Sequence, residues 1–249
     1  MGTLVTLRQA AARSTAHHRL PLLLALILAL GLFVYWAAAP APAGAETMAN
    51  AAGRYDGLVL RDLGGKRAAL VCLVAENGAF TPLELWRSKS GKFDTRKAKF
   101  LAGDVNGDGI ALYDLGAGRS RLYIWLSDGQ QAVLRTAWTS KARAFCWARA
   151  KLAVGDLDRD GKDDVIALYD RGRGSAALYR FISTGKAFRR SVGWSGARGA
   201  LATSGTQLVA GDLTGDGRAD AVVLSPRSAT SASLLAFVSG SSKFSKKTF

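Results

Sequence analysis

The chain has 249 residues, enough for one large domain or two small ones, and its 49% hydrophobic content can fill a buried core. A net charge of +15, from 34 basic and 19 acidic residues, favours anionic partners. Both histidines, His17 and His18, stand near the start, which excludes Ser-His-Asp and Cys-His catalysis and histidine-held zinc from everything beyond them.

Residues 1–19 carry Arg8, Arg13 and Arg19 and no acid. An almost unbroken apolar run follows over 20–39, then a tail of small residues ending Ala43-Gly44-Ala45. That order predicts an export signal over 1–45, cleaved before Glu46. The run is also near the length of about 20 residues that spans a bilayer, so an uncleaved N-terminal apolar helix serving as an anchor is the other reading. Both place everything after residue 45 outside the cell, secreted or held to the membrane only through this segment. Residues 46–55 read as a linker. Cys72 and Cys146 do not make a disulfide framework and read as small buried apolar residues.

From residue 56 to 249 the sequence repeats with a period of about fifty residues. Ala102-Gly103-Asp104-Val105-Asn106-Gly107-Asp108-Gly109 returns as Val154-Gly155-Asp156-Leu157-Asp158-Arg159-Asp160-Gly161 and again as Ala210-Gly211-Asp212-Leu213-Thr214-Gly215-Asp216-Gly217. Each unit breaks into four short runs rich in Val, Leu, Tyr and Phe, which in the third unit fall near 151–155, 164–169, 175–182 and 188–194. Trp86, Trp138 and Trp194 hold matching places, whereas Trp125 and Trp147 lack counterparts in every unit. The pattern predicts an all-β fold, a β-propeller of about four four-stranded blades, with the matching tryptophans packed between blades. The first unit enters at Asp56, past its loop and without its first strand. Four blades that close, two chains that complete one ring as a homo-oligomer, and a part of a larger assembly all satisfy the strand count. An unclosed fan leaves bare edges that invite pairing.

The most complete loop places Asp156, Asp158, Asp160 and Asp164 at positions 1, 3, 5 and 9, with Gly161 at the turn and the Lys162 carbonyl available. Their oxygens can converge on one hard cation, and calcium takes six to eight such ligands. A plain Asp/Gly turn that binds nothing is the competing reading. Against it, four carboxylates in nine residues repel one another unless a cation joins them.

These loops and their flanking strands resemble FG-GAP/VCBS repeats, the calcium-loop blades of integrin alpha-subunit propellers and of many secreted bacterial proteins, over roughly residues 56–249. The resemblance implies a propeller with calcium as cofactor in the loop between strands 1 and 2 of each blade. Asp156, Asp158, Asp160, Lys162 and Asp164 match throughout. Asp212, Asp216, Arg218 and Asp220 match, but Thr214 replaces the third-position carboxylate, which implies weaker binding. Asp104, Asn106 and Asp108 match and then lose their closing aspartate, which implies a degenerate site. Asp56 is a ninth-position relic with no ligand role.

Strands that alternate in direction put the 1–2 and 3–4 turns at one end of a blade and the 2–3 turns and 4–1 connections at the other. The acids of the loops then gather at one end. Lys66, Arg67, Arg119, Arg121, Arg171 and Arg173 on the 2–3 turns, with Lys97, Lys99, Arg149 and Lys151 on the 4–1 connections, gather at the opposite end. This predicts a binding or adhesion module, and not an enzyme, whose basic face engages anionic polysaccharide, a cell-wall polymer or a surface protein. Nucleic acid is not expected, because the chain reads as exported and carries no recognition motif for it. A carboxylate-based glycan-processing enzyme is the alternative, although the only glutamates are Glu46, Glu76 and Glu84. A structural part of a larger propeller assembly is the third reading. Gly116-Ala117-Gly118 and Gly172-Arg173-Gly174 read as hairpin turns and not as phosphate-cradling loops.

Overall fold

A computed structural model describes residues 4–7, 57–76, 78–103 and 109–248. Short β-branched and aromatic runs between glycine turns form four-stranded antiparallel sheets, each a simple meander. The first contains β1 (Leu4–Leu7), β2 (Gly57–Gly64), β3 (Arg67–Glu76) and β4 (Ala79–Arg87). The second contains β5 (Ala98–Ala102), β6 (Gly109–Gly116), β7 (Arg119–Ser127) and β8 (Ala132–Thr139). The third contains β9 (Ala150–Gly155), β10 (Asp164–Gly172), β11 (Ser175–Ser183) and β12 (Phe188–Ser195). The fourth contains β13 (Gln207–Gly211), β14 (Asp220–Pro226), β15 (Ala232–Ser239) and β16 (Phe244–Thr248). First strands neighbour one another in sequence order, β1 with β5, β5 with β9 and β9 with β13, as do the fourth strands. The described residues are thus an all-β array of four blade-like sheets, as the repeats predict.

The first sheet carries a correction. The first unit does not lack its opening strand, because Leu4–Leu7 pairs antiparallel with β2, from Leu4 opposite Leu60 to Leu7 opposite Gly57. Those residues lie inside the segment that reads as an export leader, while the predicted apolar helix over 20–39 falls outside the described residues. Removing residues 1–45 is expected to bare one edge of β2 and make the shortened chain self-associate. Native mass in solution, compared between the 46–249 form and the full chain, checks this; a monomer at both lengths would contradict it.

Second strands are buried almost without alternation, from Val165 to Tyr169 on β10 and from Gly109 to Leu112 on β6, because sheets cover both faces. Between sheets the repeated tryptophans pack edge-on against rings of the next sheet. Trp86 meets Trp125 at 5.4 Å, Trp138 meets Phe181 at 5.0 Å and Trp194 meets Phe237 at 4.8 Å. Trp125 therefore does have counterparts, Phe181 and Phe237, and all three are fully buried. Trp147, on the short turn before β9, is half-buried and packs against the same core as Tyr179. Cys72 lies in the core and Cys146 is half-buried, and no disulfide joins them.

The 2–3 turns of the first three sheets are two-residue hairpins with both central residues left-handed, as at Gly65-Lys66 (φ 58° and 54°) and Arg173-Gly174 (φ 54° and 69°), whereas that of the fourth spans 227–231. Each 4–1 connection closes back onto the hairpin of its own sheet. Gly91 N–H donates to the Gly65 carbonyl (3.1 Å), Arg143 N–H to that of Ala117 (3.2 Å) and Gly199 N–H to that of Gly174 (2.9 Å). Those two sets of connections accordingly share one end of the fold. At the other end, the 3–4 turn approaches the 1–2 loop, where Ser183 N–H donates to Asp164 and Ser239 N–H to Asp220.

Candidate metal centre

The chain leaves β9 at Gly155 and turns back within eight residues, with Arg159 (φ 69°) and Gly161 (φ 82°) in the left-handed region. Asp156 organises the curl. Its Oδ1 accepts from the N–H groups of Asp158 (3.1 Å) and Arg159 (2.6 Å), and its Oδ2 from Gly161 N–H (2.9 Å). Asp164 closes the turn from the first residue of β10. Fully buried, it accepts from Leu157 N–H at 2.9 Å and from Ser183 N–H at 2.7 Å. Carboxylate oxygens of Asp156, Asp158 and Asp164 lie within 4.8 Å of one another.

Two features of this group ask for a cation. Asp158 Oδ1 is buried and accepts no hydrogen bond, a costly state for a carboxylate oxygen. Burial, reinforced by the neighbouring charges of Asp158 and Asp156, pushes the Asp164 carboxyl up to about 7. A divalent ion would satisfy the open oxygen and hold all three groups ionised. The donors are hard oxygens without nitrogen or sulfur, the set that suits calcium. Asp160 stands outside this three-carboxylate group. Its Oδ1 accepts from Lys162 N–H (2.9 Å) and its Oδ2 from Lys162 Nζ (2.7 Å), and that ammonium holds Asp160 below the usual carboxylate range.

The fourth sheet repeats the scaffold. Asp212 accepts from the N–H groups of Gly215 (2.7 Å), Asp216 (3.2 Å) and Gly217 (2.8 Å). Asp216 accepts from Arg218 N–H (2.9 Å), and the buried Asp220 from Leu213 N–H (3.1 Å) and Ser239 N–H (2.7 Å). Thr214 stands where Asp158 stands, and the loop is exposed from Gly211 to Gly217. Among the described residues only the 156–164 loop brings three carboxylates together. Asp104, Asn106 and Asp108 lie outside the described residues.

Residues 156–223 match the family model of the FG-GAP-like repeat. The chain carries an FG-GAP-like repeat. Its match begins at Asp156, the residue around which the loop is built, and takes in the fourth-sheet loop. No curated protein matches the chain. Among solved structures, a chain of the Photorhabdus luminescens Tc holotoxin pore is similar with a TM-score of 0.45 and 19% identity. The alignment covers 71% of this chain and 8% of that one, so the present sequence corresponds to a small part of its relative's length.

Within the FG-GAP-like repeat the two loops are laced together, which sequence reasoning missed. Ala219 N–H donates to the Asp156 carbonyl (2.6 Å), Arg218 Nη1 to the Leu157 carbonyl (2.9 Å) and Arg159 Nη1 to the Asp216 carbonyl (3.0 Å). Arg180 was missed too. It is 2% exposed on β11 at the position held by Ile124 on β7 and Ala236 on β15, and donates to the Ser241 carbonyl at 3.0 Å. Burial lowers its hold on the proton, which the charges of Asp164 and Asp158 oppose. A charge at an otherwise apolar repeat position was the available signal.

At the opposite end of the fold, Lys66, Lys97, Arg119, Arg149 and Arg173 are exposed, and among the described residues no carboxylate pairs with them. Arg67 is engaged by the carbonyls of Gly64 and Leu63, both at 3.3 Å. Arg121 bonds Thr139 Oγ1 and the Tyr123 hydroxyl, both at 3.1 Å, and Arg171 bonds Ser195 Oγ (2.6 Å). Lys151 is half-buried. Lys99 does not belong to the face as read from sequence. Its ammonium crosses to the third sheet, donates to the carbonyls of Trp147 (2.9 Å) and Ala150 (2.5 Å), and sits 4.7 Å from the Trp147 ring.

Proposed function

We propose that this FG-GAP-like repeat chain is an exported binding module, stabilised by calcium at its acidic end, whose basic end engages anionic polymers at or near a cell surface. The observation that carries the reading is an excess of unpaired basic residues at the end of the fold opposite the three-carboxylate loop. Metal-competent carboxylates sit on the 156–164 loop. On the 2–3 turns and 4–1 connections, which share one end through backbone hydrogen bonds, exposed lysines and arginines without an ion-pair partner among the described residues outnumber the acids Asp62, Asp94, Asp114 and Asp170. Asp156, Asp158 and Asp164 would hold the calcium ion, whose charge ties the turn to the start of β10. The partners that fit are acidic polysaccharides and wall polyanions, contacted through several separated charges.

Retention on an anionic matrix across a salt series tests it. The wild type should bind at low salt and elute as screening length shortens. A Lys66→Ser/Arg119→Ser/Arg173→Ser variant should elute at distinctly lower salt with an unchanged melting temperature. Elution at the wild-type salt concentration would reject the basic end as the binding surface.

A further inference from the structure

One groove of about 230 Å³ opens between the first and second sheets, over Trp86, Phe93 and Leu134 and beside Lys89 and Lys92. The same place between the second and third sheets is filled. There the Arg190 guanidinium lies 5.4 Å from the Trp138 ring centre, 5.2 Å from that of Tyr179 and 5.9 Å from that of Phe145. Register makes the two places equivalent, with Arg190 opposite Phe181 on β11 and Leu134 opposite Trp125 on β7. The corresponding residue of the fourth sheet is Lys246, opposite Phe237. Of these three boundaries the second has a guanidinium over its rings, whereas the matching side chain at the first is the apolar Leu134. Trp86 is half-buried, as Trp138 and Trp194 are.

The rim decides what could take the vacant position. Arg87 is held by Glu84 through two bonds, Nε to Oε1 at 2.6 Å and Nη2 to Oε2 at 2.7 Å, so its charge is matched. Ser88 Oγ already accepts from Ala68 N–H at 2.9 Å. Lys89 and Lys92 are exposed, and among the described residues neither has a carboxylate partner. A cationic ligand would meet like charge, although the rings alone would welcome it. A ring with an apolar C–H face and a pendant anion satisfies both halves of the groove. The C–H face covers the indole of Trp86, and the anion meets the two ammonium groups.

We infer that this groove is a subsite for one acidic sugar residue, a carboxylate-bearing pyranose within an anionic polysaccharide. The inference rests on the proposed role of the basic end, and names the chemistry of one position within it. Calorimetric titration of the full chain with tetragalacturonate tests it, with a neutral glucose tetrasaccharide as control. Leu134→Arg puts into the groove the side chain that fills its twin. It should weaken binding about tenfold or more even though it adds a positive charge. The exposed pair Lys89→Ser/Lys92→Ser should weaken it by a similar factor with an unchanged melting temperature. Retention of Leu134→Arg on the anionic matrix should stay at or above the wild-type salt concentration. If Leu134→Arg binds the tetrasaccharide as tightly as the wild type or more so, attraction is diffuse and the subsite is wrong. If the wild type binds the matrix but not the tetrasaccharide, the subsite fails while the basic end survives. If the wild type binds neither, both fail.

Discussion

Asp164→Ala is expected to lower folding stability by about 2–5 kcal/mol and to abolish the thermal response to calcium. Alanine would leave the N–H groups of Leu157 and Ser183 without their acceptor in a fully buried site. It would also remove one of the three converging carboxylates. In the wild type, calcium at ten to a hundred times its dissociation constant should add about 1.4–2.7 kcal/mol, a melting shift of several degrees at this size. Asp164→Asn separates the two roles, because it keeps one carbonyl oxygen as acceptor and loses the charge. It should melt closer to the wild type in chelator and still gain nothing from calcium. Full calcium stabilisation of Asp164→Asn would remove Asp164 from the metal site.

The same residue sets a pH dependence whose sign depends on metal. Without calcium the folded carboxyl titrates at about 7 against 3.8 for the free group, so the folded state holds the proton more tightly. That contribution is full below pH 3.8 and is lost as pH rises through about 7. Calcium binding needs the ionised group, so stability in calcium should instead rise toward neutral pH. Melting curves from pH 4 to 8, in chelator and in calcium, should have opposite slopes.

The second large effect lies in the core. Trp125→Ala should cost about 3–5 kcal/mol, read as a lower urea midpoint. Its ring is fully buried and meets Trp86, Phe93 and Phe100 at 5.4, 5.7 and 5.8 Å, joining the first two sheets. Trp125→Phe should cost far less, about 1–2 kcal/mol. Phenylalanine already fills the equivalent positions 181 and 237, and the Trp125 indole N–H donates to no protein acceptor. Equal losses from the two substitutions would show that the indole's shape, and not burial between sheets, is what the site requires.

What could be read from the sequence was local. The 156–164 loop gathers its carboxylates within nine residues, and hairpins such as Arg173-Gly174 announce themselves by glycine at left-handed positions. Strand positions followed from the same local punctuation. Features that depend on partners roughly fifty residues away were not legible. Lys99 crossing to Trp147 and Trp125 equating with Phe181 arise from sheet-to-sheet packing, and Ser183 completes the Asp164 site from the next-but-one turn of its own sheet, nineteen residues on. Asp160 looks like an equal ligand by spacing, yet Lys162 two residues later draws it aside. The strand at Leu4–Leu7 was hidden by its composition, because it stands in a basic segment ahead of an apolar run.

Arg159 and Arg218 each reach into the backbone of the other's turn, and both offer a trypsin-type cleavage point. A cut after either residue would unseat its counterpart, so digestion should spread through both turns as a single event. An ion bound on the third sheet would then slow hydrolysis on the fourth as well, giving two neighbouring surface segments a shared resistance that neither has alone.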